Sequence, residues 1–203
     1  MAESTGSILV TGPSRSGKSE WAEHLALSSG CPITYIATAT KDPNDSEWQA
    51  RLQRHRDRRP NHWQTLEVPK DLAIALKEIP PQNRILLDSL GTWVANCLEL
   101  KDQDWLGQQK QLIDALVAVG SRAIVVAEET GWGVVPAYPL GRQFRDRLGT
   151  LTRTVALHSS QVFLVVAGYA VDIKQHGREV PDLGQNLGQT FEGGKGQSVK
   201  KVE

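Results

Sequence analysis

The sequence predicts an α/β fold: a doubly wound, mostly parallel sheet with helices on both faces. Two observations carry this. Short runs rich in Val, Ile and Leu recur at 7–11, 33–39, 84–88, 123–128 and 161–167, without the polar alternation of a half-solvated sheet. Helical patterns lie between them, at about 17–29, 45–58, 71–78, 92–119 with a break, and 139–158. Alternating β and α segments build parallel sheets through right-handed crossovers, and ligands then bind beyond the carboxyl ends of the strands.

The first strand runs into Gly12-Pro13-Ser14-Arg15-Ser16-Gly17-Lys18-Ser19, which fits G-x-x-x-x-G-K-[ST] at every fixed position. Ser7-Ile8-Leu9-Val10-Thr11 leads in as a strand, and the helical pattern at 20–27 leads out. The glycines let the backbone turn so that successive N–H groups face one anion, and the helix N-terminus adds partial positive charge. Lys18 is placed to reach the β- and γ-phosphates and Ser19 to ligate Mg²⁺. The expected fold is therefore P-loop NTPase-like and the expected ligand a nucleoside triphosphate. What is done with the triphosphate is not written in this loop.

The second strand leads to the segment 46–60, where Trp48, Leu52 and His55 share one helix face at about 100° per residue. Arg51 stands one turn before His55 and Arg59 one turn after, so the imidazole sits where an apolar stripe meets guanidiniums. Arg51, Arg54 and Arg56 suit phosphate oxygens, and a histidine among them suits a nucleophile or general base. The same pattern also describes a solvated basic face with an incidental histidine.

The third run, Ile85-Leu86-Leu87-Asp88, ends in a carboxylate that either holds Mg²⁺ or caps the next helix. The fourth is followed by Glu128-Glu129-Thr130-Gly131-Trp132-Gly133-Val134-Val135-Pro136, near the same edge of the sheet. Its carboxylates can meet metal, base or ribose, or the stretch is an ordinary strand-to-helix turn.

The 203 residues carry 23 basic and 23 acidic side chains, so no global field favours nucleic acid or an anionic membrane. No apolar run approaches the length of a membrane span. Residues 1–6 lack the basic-then-apolar pattern of a secretory leader, and Cys31 and Cys97 have neither metal nor redox spacing. A cytoplasmic protein with two reduced thiols is expected. One domain is expected over 1–174. The remaining stretch, 175–203, is rich in Gly, Gln, Lys and Glu and is expected to be disordered.

Taken alone, these residues leave open a small-molecule P-loop kinase with a structural His55, or a nucleotide-binding regulatory module. Together they resemble a known family, the bifunctional adenosylcobinamide kinase / adenosylcobinamide-phosphate guanylyltransferase of cobalamin biosynthesis. The resemblance runs through I-L-V-T-G-x-x-R-S-G-K-S at 8–19, Y-I-A-T-A at 35–39 and R-[LI]-x-x-H-[RK]-x-x-R-P-x-x-W at 51–63. It continues through I-L-L-D-x-L at 85–90, Asn96, Glu129-Thr130-Gly131 with Gly133-Val134-Val135-Pro136, and Phe144-Arg145-Asp146.

The resemblance implies a covalent GMP adduct on His55, with Lys18 and Arg51 completing the catalytic set. It implies nucleotide binding by residues 12–19 with Glu67, Asp88 and Glu129, and Mg²⁺ at Ser19 and Asp88. The implied substrates are adenosylcobinamide, ATP or GTP as phosphoryl donor, and GTP as guanylyl donor. A homo-oligomer, a trimer in the family, is implied as well. Three departures from the family pattern stand out, at four positions. Glu128 stands where Asn is usual, Gly91 where Thr is usual with Thr92 beside it, and Thr152-Arg153 where Asn-Gln is usual.

Overall fold

The computed structural model describes residues 5–181. In chain order the strands are β1 (Ser7–Gly12), β2 (Ile33–Ala37), β3 (Gln64–Glu67), β4 (Arg84–Asp88), β5 (Ala123–Glu128), β6 (Ser159–Val166) and β7 (Tyr169–Asp172). The helices are α1 (Lys18–Leu27), α2 (Ser46–Asp57), α3 (Leu72–Glu78), α4 (Leu90–Asn96), α5 (Asp102–Val119), α6 (Pro139–His158) and the single turn α7 (Ile173–His176).

The strands form one sheet in the order β3-β2-β4-β5-β1-β6-β7. Every pairing is parallel except that of β6 with β7, which is antiparallel. This is the doubly wound α/β sheet that the alternating pattern predicts. Its central strands are apolar on both faces because both faces are covered. On one side Val10, Leu86, Ile124 and Val126 pack with Ala22 and Ala26 of α1. On the other, Leu9, Leu87 and Val125 meet α3, α4, α5 and α6 through Leu76, Trp93, Leu112 and Leu148.

Three elements escape the apolar pattern. β3 is a polar edge strand, Gln-Thr-Leu-Glu, paired only with β2, and β7 is the opposite edge. Edge strands need no continuous apolar run, because one margin and much of their surface face water. The third, α7, is a turn capped by Asp172, whose carboxylate accepts from Lys174 N at 3.0 Å and Gln175 N at 3.3 Å. The expected boundary after 174 falls inside this turn, and the expected disordered stretch beyond 181 lies outside the described residues.

Candidate active site

The carboxyl ends of β1, β2, β4 and β5 meet along one edge, and the loop after β1 forms its floor. Gly12 ends β1 against β6, where an added Cβ would lie 2.2 Å from the Val165 carbonyl oxygen. Gly17 adopts φ +97° immediately before α1, a conformation that favours glycine. The loop is tied to its surroundings by Glu129 N donating to Gly12 O at 2.9 Å and Gly168 N to Ser16 O at 3.0 Å. Lys18 and Ser19 are buried at the head of α1, and Lys18 Nζ turns back to the Pro13 carbonyl at 3.3 Å. The N-terminus of α1 therefore opens on the cleft lined by Arg15, Ser16, Gly17, Lys18 and Ser19.

α2 stands as one wall. Asp45 caps it, its side chain accepting from Trp48 N at 2.8 Å, and the Trp48 indole donates to Thr40 O at 2.8 Å. None of its residues is fully buried, yet Trp48, Leu52 and His55 are its half-buried positions, the face that the spacing predicts. His55 Nδ1 lies 4.0 Å from Asp88 Oδ2 and 3.4 Å from Arg58 Nη2. Burial holds the imidazole pKa below its ordinary value. Asp88 opposes that shift, while Arg58, Arg51 and Arg59 reinforce it.

Asp88 ends β4 with its side chain 12% exposed, and it accepts from Tyr35 Oη at 2.8 Å. Burial pushes the Tyr35 hydroxyl well up, aided by Asp88, so it stays a phenol that donates. The Arg59 guanidinium covers the Tyr35 ring at 3.5 Å from its centroid, an arrangement favoured by the ring's electrostatics. Asp88 is not the cap of the next helix. That role falls to Ser89, whose hydroxyl accepts from Thr92 N at 3.4 Å.

Beside Asp88, Glu128 ends β5. Its carboxylate accepts from Ser89 Oγ at 2.5 Å and from Gly91 N at 2.9 Å. Burial, with Asp88 nearby, pushes its pKa up.

A cavity of about 850 Å³ joins these parts, lined among others by Lys18, Ser19, Arg51, His55, Asp88 and Glu128. It therefore gathers most of the sequence-predicted site residues: Arg15, Ser16, Gly17, Lys18, Ser19, Arg51, His55 and Asp88. Gly12 at the end of β1 and the following Pro13 and Ser14 are not part of the lining. Glu67 lies outside the lining, paired with Lys41 and with Arg56 at 3.1 Å, and the Lys41 hydrogen bond holds its carboxyl below the usual range. Glu129 lines a neighbouring cavity of about 550 Å³.

Sequence reasoning overlooked Tyr35, Arg58 and Ser89 as site residues. Tyr35 reads as a strand residue, Arg58 as one of several arginines, and Ser89 as a loop hydroxyl. Only the motif Tyr35-Ile36-Ala37-Thr38-Ala39 held a signal for the first.

Residues 8–173 match the cobinamide kinase / cobinamide phosphate guanyltransferase family. The chain belongs to that family. It is 41% identical over 168 residues to the bifunctional adenosylcobalamin biosynthesis protein CobP of Pseudomonas aeruginosa, a match spanning 82% of this chain and 96% of that one. It is 36% identical over 182 residues to the bifunctional adenosylcobalamin biosynthesis protein CobU of Salmonella typhimurium, spanning 82% and 99% of the two chains. The Escherichia coli CobU protein is 35% identical over 182 residues with the same coverage.

Two of the positions singled out in the sequence meet in the fold. Gly91 and Glu128 touch, and the carboxylate fills the space a side chain at 91 would need. Thr152 and Arg153 line the neighbouring cavity with Thr11 and Arg145. The buried Thr11 Oγ1, Thr152 Oγ1 and Arg145 Nη1 have no protein partner.

Proposed function

We propose that this chain is a bifunctional enzyme that phosphorylates adenosylcobinamide with a nucleoside triphosphate and then transfers GMP from GTP to the product. The observation that carries this reading is the single cleft in which the phosphate-binding loop forms the floor and His55 the wall. A P-loop alone supports many reactions. A half-buried, arginine-flanked histidine facing that loop supports nucleotidyl transfer through the protein.

In the kinase step the aminopropanol hydroxyl oxygen of adenosylcobinamide bonds to the γ-phosphorus of ATP or GTP and gives up its proton to solvent. The bond to the bridging oxygen breaks, and the nucleoside diphosphate leaves with the electron pair. Lys18 and the loop N–H groups hold the negative charge that the displacement redistributes.

In the second step the lone pair of neutral His55 attacks the α-phosphorus of GTP, and pyrophosphate leaves with the electrons of the broken P–O bond. The result is a histidine–GMP phosphoramidate. A phosphate oxygen of adenosylcobinamide phosphate then attacks the same phosphorus, the N–P bond breaks, and His55 is restored as adenosylcobinamide-GDP departs. Arg51 is assigned to the transferring phosphate charge.

The oxygen donors Ser19 and Asp88 suit Mg²⁺, which takes one or two carboxylates, retains waters and shares its shell with substrate phosphates. Mg²⁺ held there would neutralise triphosphate charge during both displacements.

We further propose a homo-oligomer, a trimer on the family resemblance. The exposed run Trp132, Val134, Val135 and Tyr138 supports self-association. A cytoplasmic location goes with this reading, since nucleoside triphosphates are its substrates.

Intact mass after incubation with GTP and Mg²⁺ tests the proposal. A species heavier by one GMP, mapped to His55, is expected. Kinase turnover without any adduct would leave a P-loop kinase with a structural histidine. Nucleotide binding with neither activity would leave a regulatory module.

A further inference from the structure

One side chain ties His55 to the phosphate-binding helix. Arg58 follows α2 by one residue and extends its fork toward α1. Its Nη1 pairs with Glu20 Oε1, its Nη2 lies 3.2 Å from Glu23 Oε1, and the same Nη2 lies 3.4 Å from His55 Nδ1. Glu20 and Glu23 stand in the first two turns of α1, directly after Lys18 and Ser19.

The geometry of α2 makes this tie consequential. The helix buries no residue completely, so apolar packing does little to fix its rotation over the cleft. Its other polar ties reach elsewhere: Arg56 to Glu67 on β3, His55 to Asp88 on β4 at 4.0 Å, and Trp48 to the loop before the helix. Arg58 alone among them contacts both α1 and the imidazole. Its planar fork spans two carboxylates at fixed angles while lying against the imidazole edge, which a lysine ammonium on a flexible stem does not reproduce.

We propose that Arg58, anchored by Glu20 and Glu23, is a positioning residue that sets the His55 ring over the triphosphate, a role that rests on His55 being the nucleophile. The anchor fixes the distance between the attacking nitrogen and a phosphate seated on α1, because the pieces that hold each are clamped to one another. Kinase chemistry needs no protein nucleophile and does not depend on the clamp.

The test uses the full chain with Arg58→Ala, Arg58→Lys and the double variant Glu20→Gln/Glu23→Gln, and it has two arms. In the first, single-turnover formation of the GMP adduct from α-labelled GTP is expected to fall roughly tenfold to a hundredfold in all three, the cost of a nucleophile misplaced by about 1 Å. Kinase turnover should fall by much less than adduct formation, and the unfolding midpoint should change little, since partly exposed ion pairs contribute modestly to stability. The second arm needs no nucleotide: carbethoxylation of His55 by diethyl pyrocarbonate, read by peptide mass, should be faster in the Ala and double-Gln variants than in wild type.

Loss of adduct in Arg58→Ala with a normal rate in Glu20→Gln/Glu23→Gln would mean that Arg58 acts on the nucleotide directly and would overturn the clamp. Equal loss of both activities, full function in Arg58→Lys, or unchanged carbethoxylation would overturn it too. Absence of any adduct in the wild-type protein would instead sink the nucleophile assignment on which the clamp rests.

Discussion

Glu128 occupies the space that a side chain at Gly91 would need: a Cβ built on Gly91 would lie 2.1 Å from Glu128 Oε2. The Gly91 N–H donates to that same oxygen at 2.9 Å, so the contact is attractive with glycine, and a larger residue would force the carboxylate to move. Gly91 lies in the first turn of α4, where alanine would ordinarily gain up to about 1 kcal/mol in helix propensity. Here Gly91→Ala should instead destabilise by about 1–3 kcal/mol through overpacking against a buried carboxylate. In a Glu128→Ala background the same substitution should become neutral or stabilising. A double-mutant cycle by chemical denaturation checks this, and additive effects would show that the two positions are not coupled.

Lys18→Ala should lose both activities together. The β- and γ-phosphates leave as pyrophosphate in the second reaction, and in the first the γ-phosphoryl is transferred from the β-phosphate, so one cationic contact serves both. A fall of about 10²-fold or more in each is expected from removing a single charge-stabilising donor. Parallel kinase and adduct assays decide it. A normal adduct rate in this variant would require a separate triphosphate site.

For Asp88→Asn the expected loss is in Mg²⁺ dependence. The carboxylate sits in the cleft, and the cap of α4 is supplied by Ser89, so the helix keeps its N-terminal partner in the variant. Activity should need more Mg²⁺ while the unfolding midpoint changes little. A Mg²⁺ titration identical to wild type would remove Asp88 from the metal site.

His55→Ala should abolish the GMP adduct and transfer to adenosylcobinamide phosphate, while phosphorylation of adenosylcobinamide stays measurable. The wild-type adduct should be lost in acid and survive in base, as a phosphoramidate does. An adduct that forms in the Ala variant, or one stable in acid, would move the nucleophile to another residue.

The pH dependence of adduct formation has a definite sign. The attacking imidazole must be neutral, and burial with its arginine neighbours holds the His55 pKa below the model-peptide value of about 6.5. Adduct formation should therefore persist as pH falls through that ordinary value and be lost only when it passes the depressed one. Single-turnover rates across mildly acidic pH provide the measurement. A midpoint at or above the ordinary histidine value would mean that Asp88 outweighs burial and the arginines.

The phosphate-binding loop and the α/β class were legible because both are local properties. A cradle of N–H groups comes from contiguous residues 12–19, and strands buried on both faces write themselves as apolar runs. The half-buried face of α2 was legible for the same reason, since helical period alone puts Trp48, Leu52 and His55 together. The polar edge strand β3 was not, because its place depends on a partner strand and not on its own composition.

What the sequence by itself determined is which chemical groups are present and which local shapes carry them: a phosphate loop, an arginine-flanked histidine and a strand-ending carboxylate. Only the tertiary structure decided which of them meet. Tyr35 reaches Asp88 across 53 positions, Glu128 reaches Gly91 across 37, and Arg58 reaches Glu20 across 38. The reason is physical. Helical and strand periods constrain neighbours along one element, whereas contacts between elements depend on strand order and on how each helix packs against the sheet.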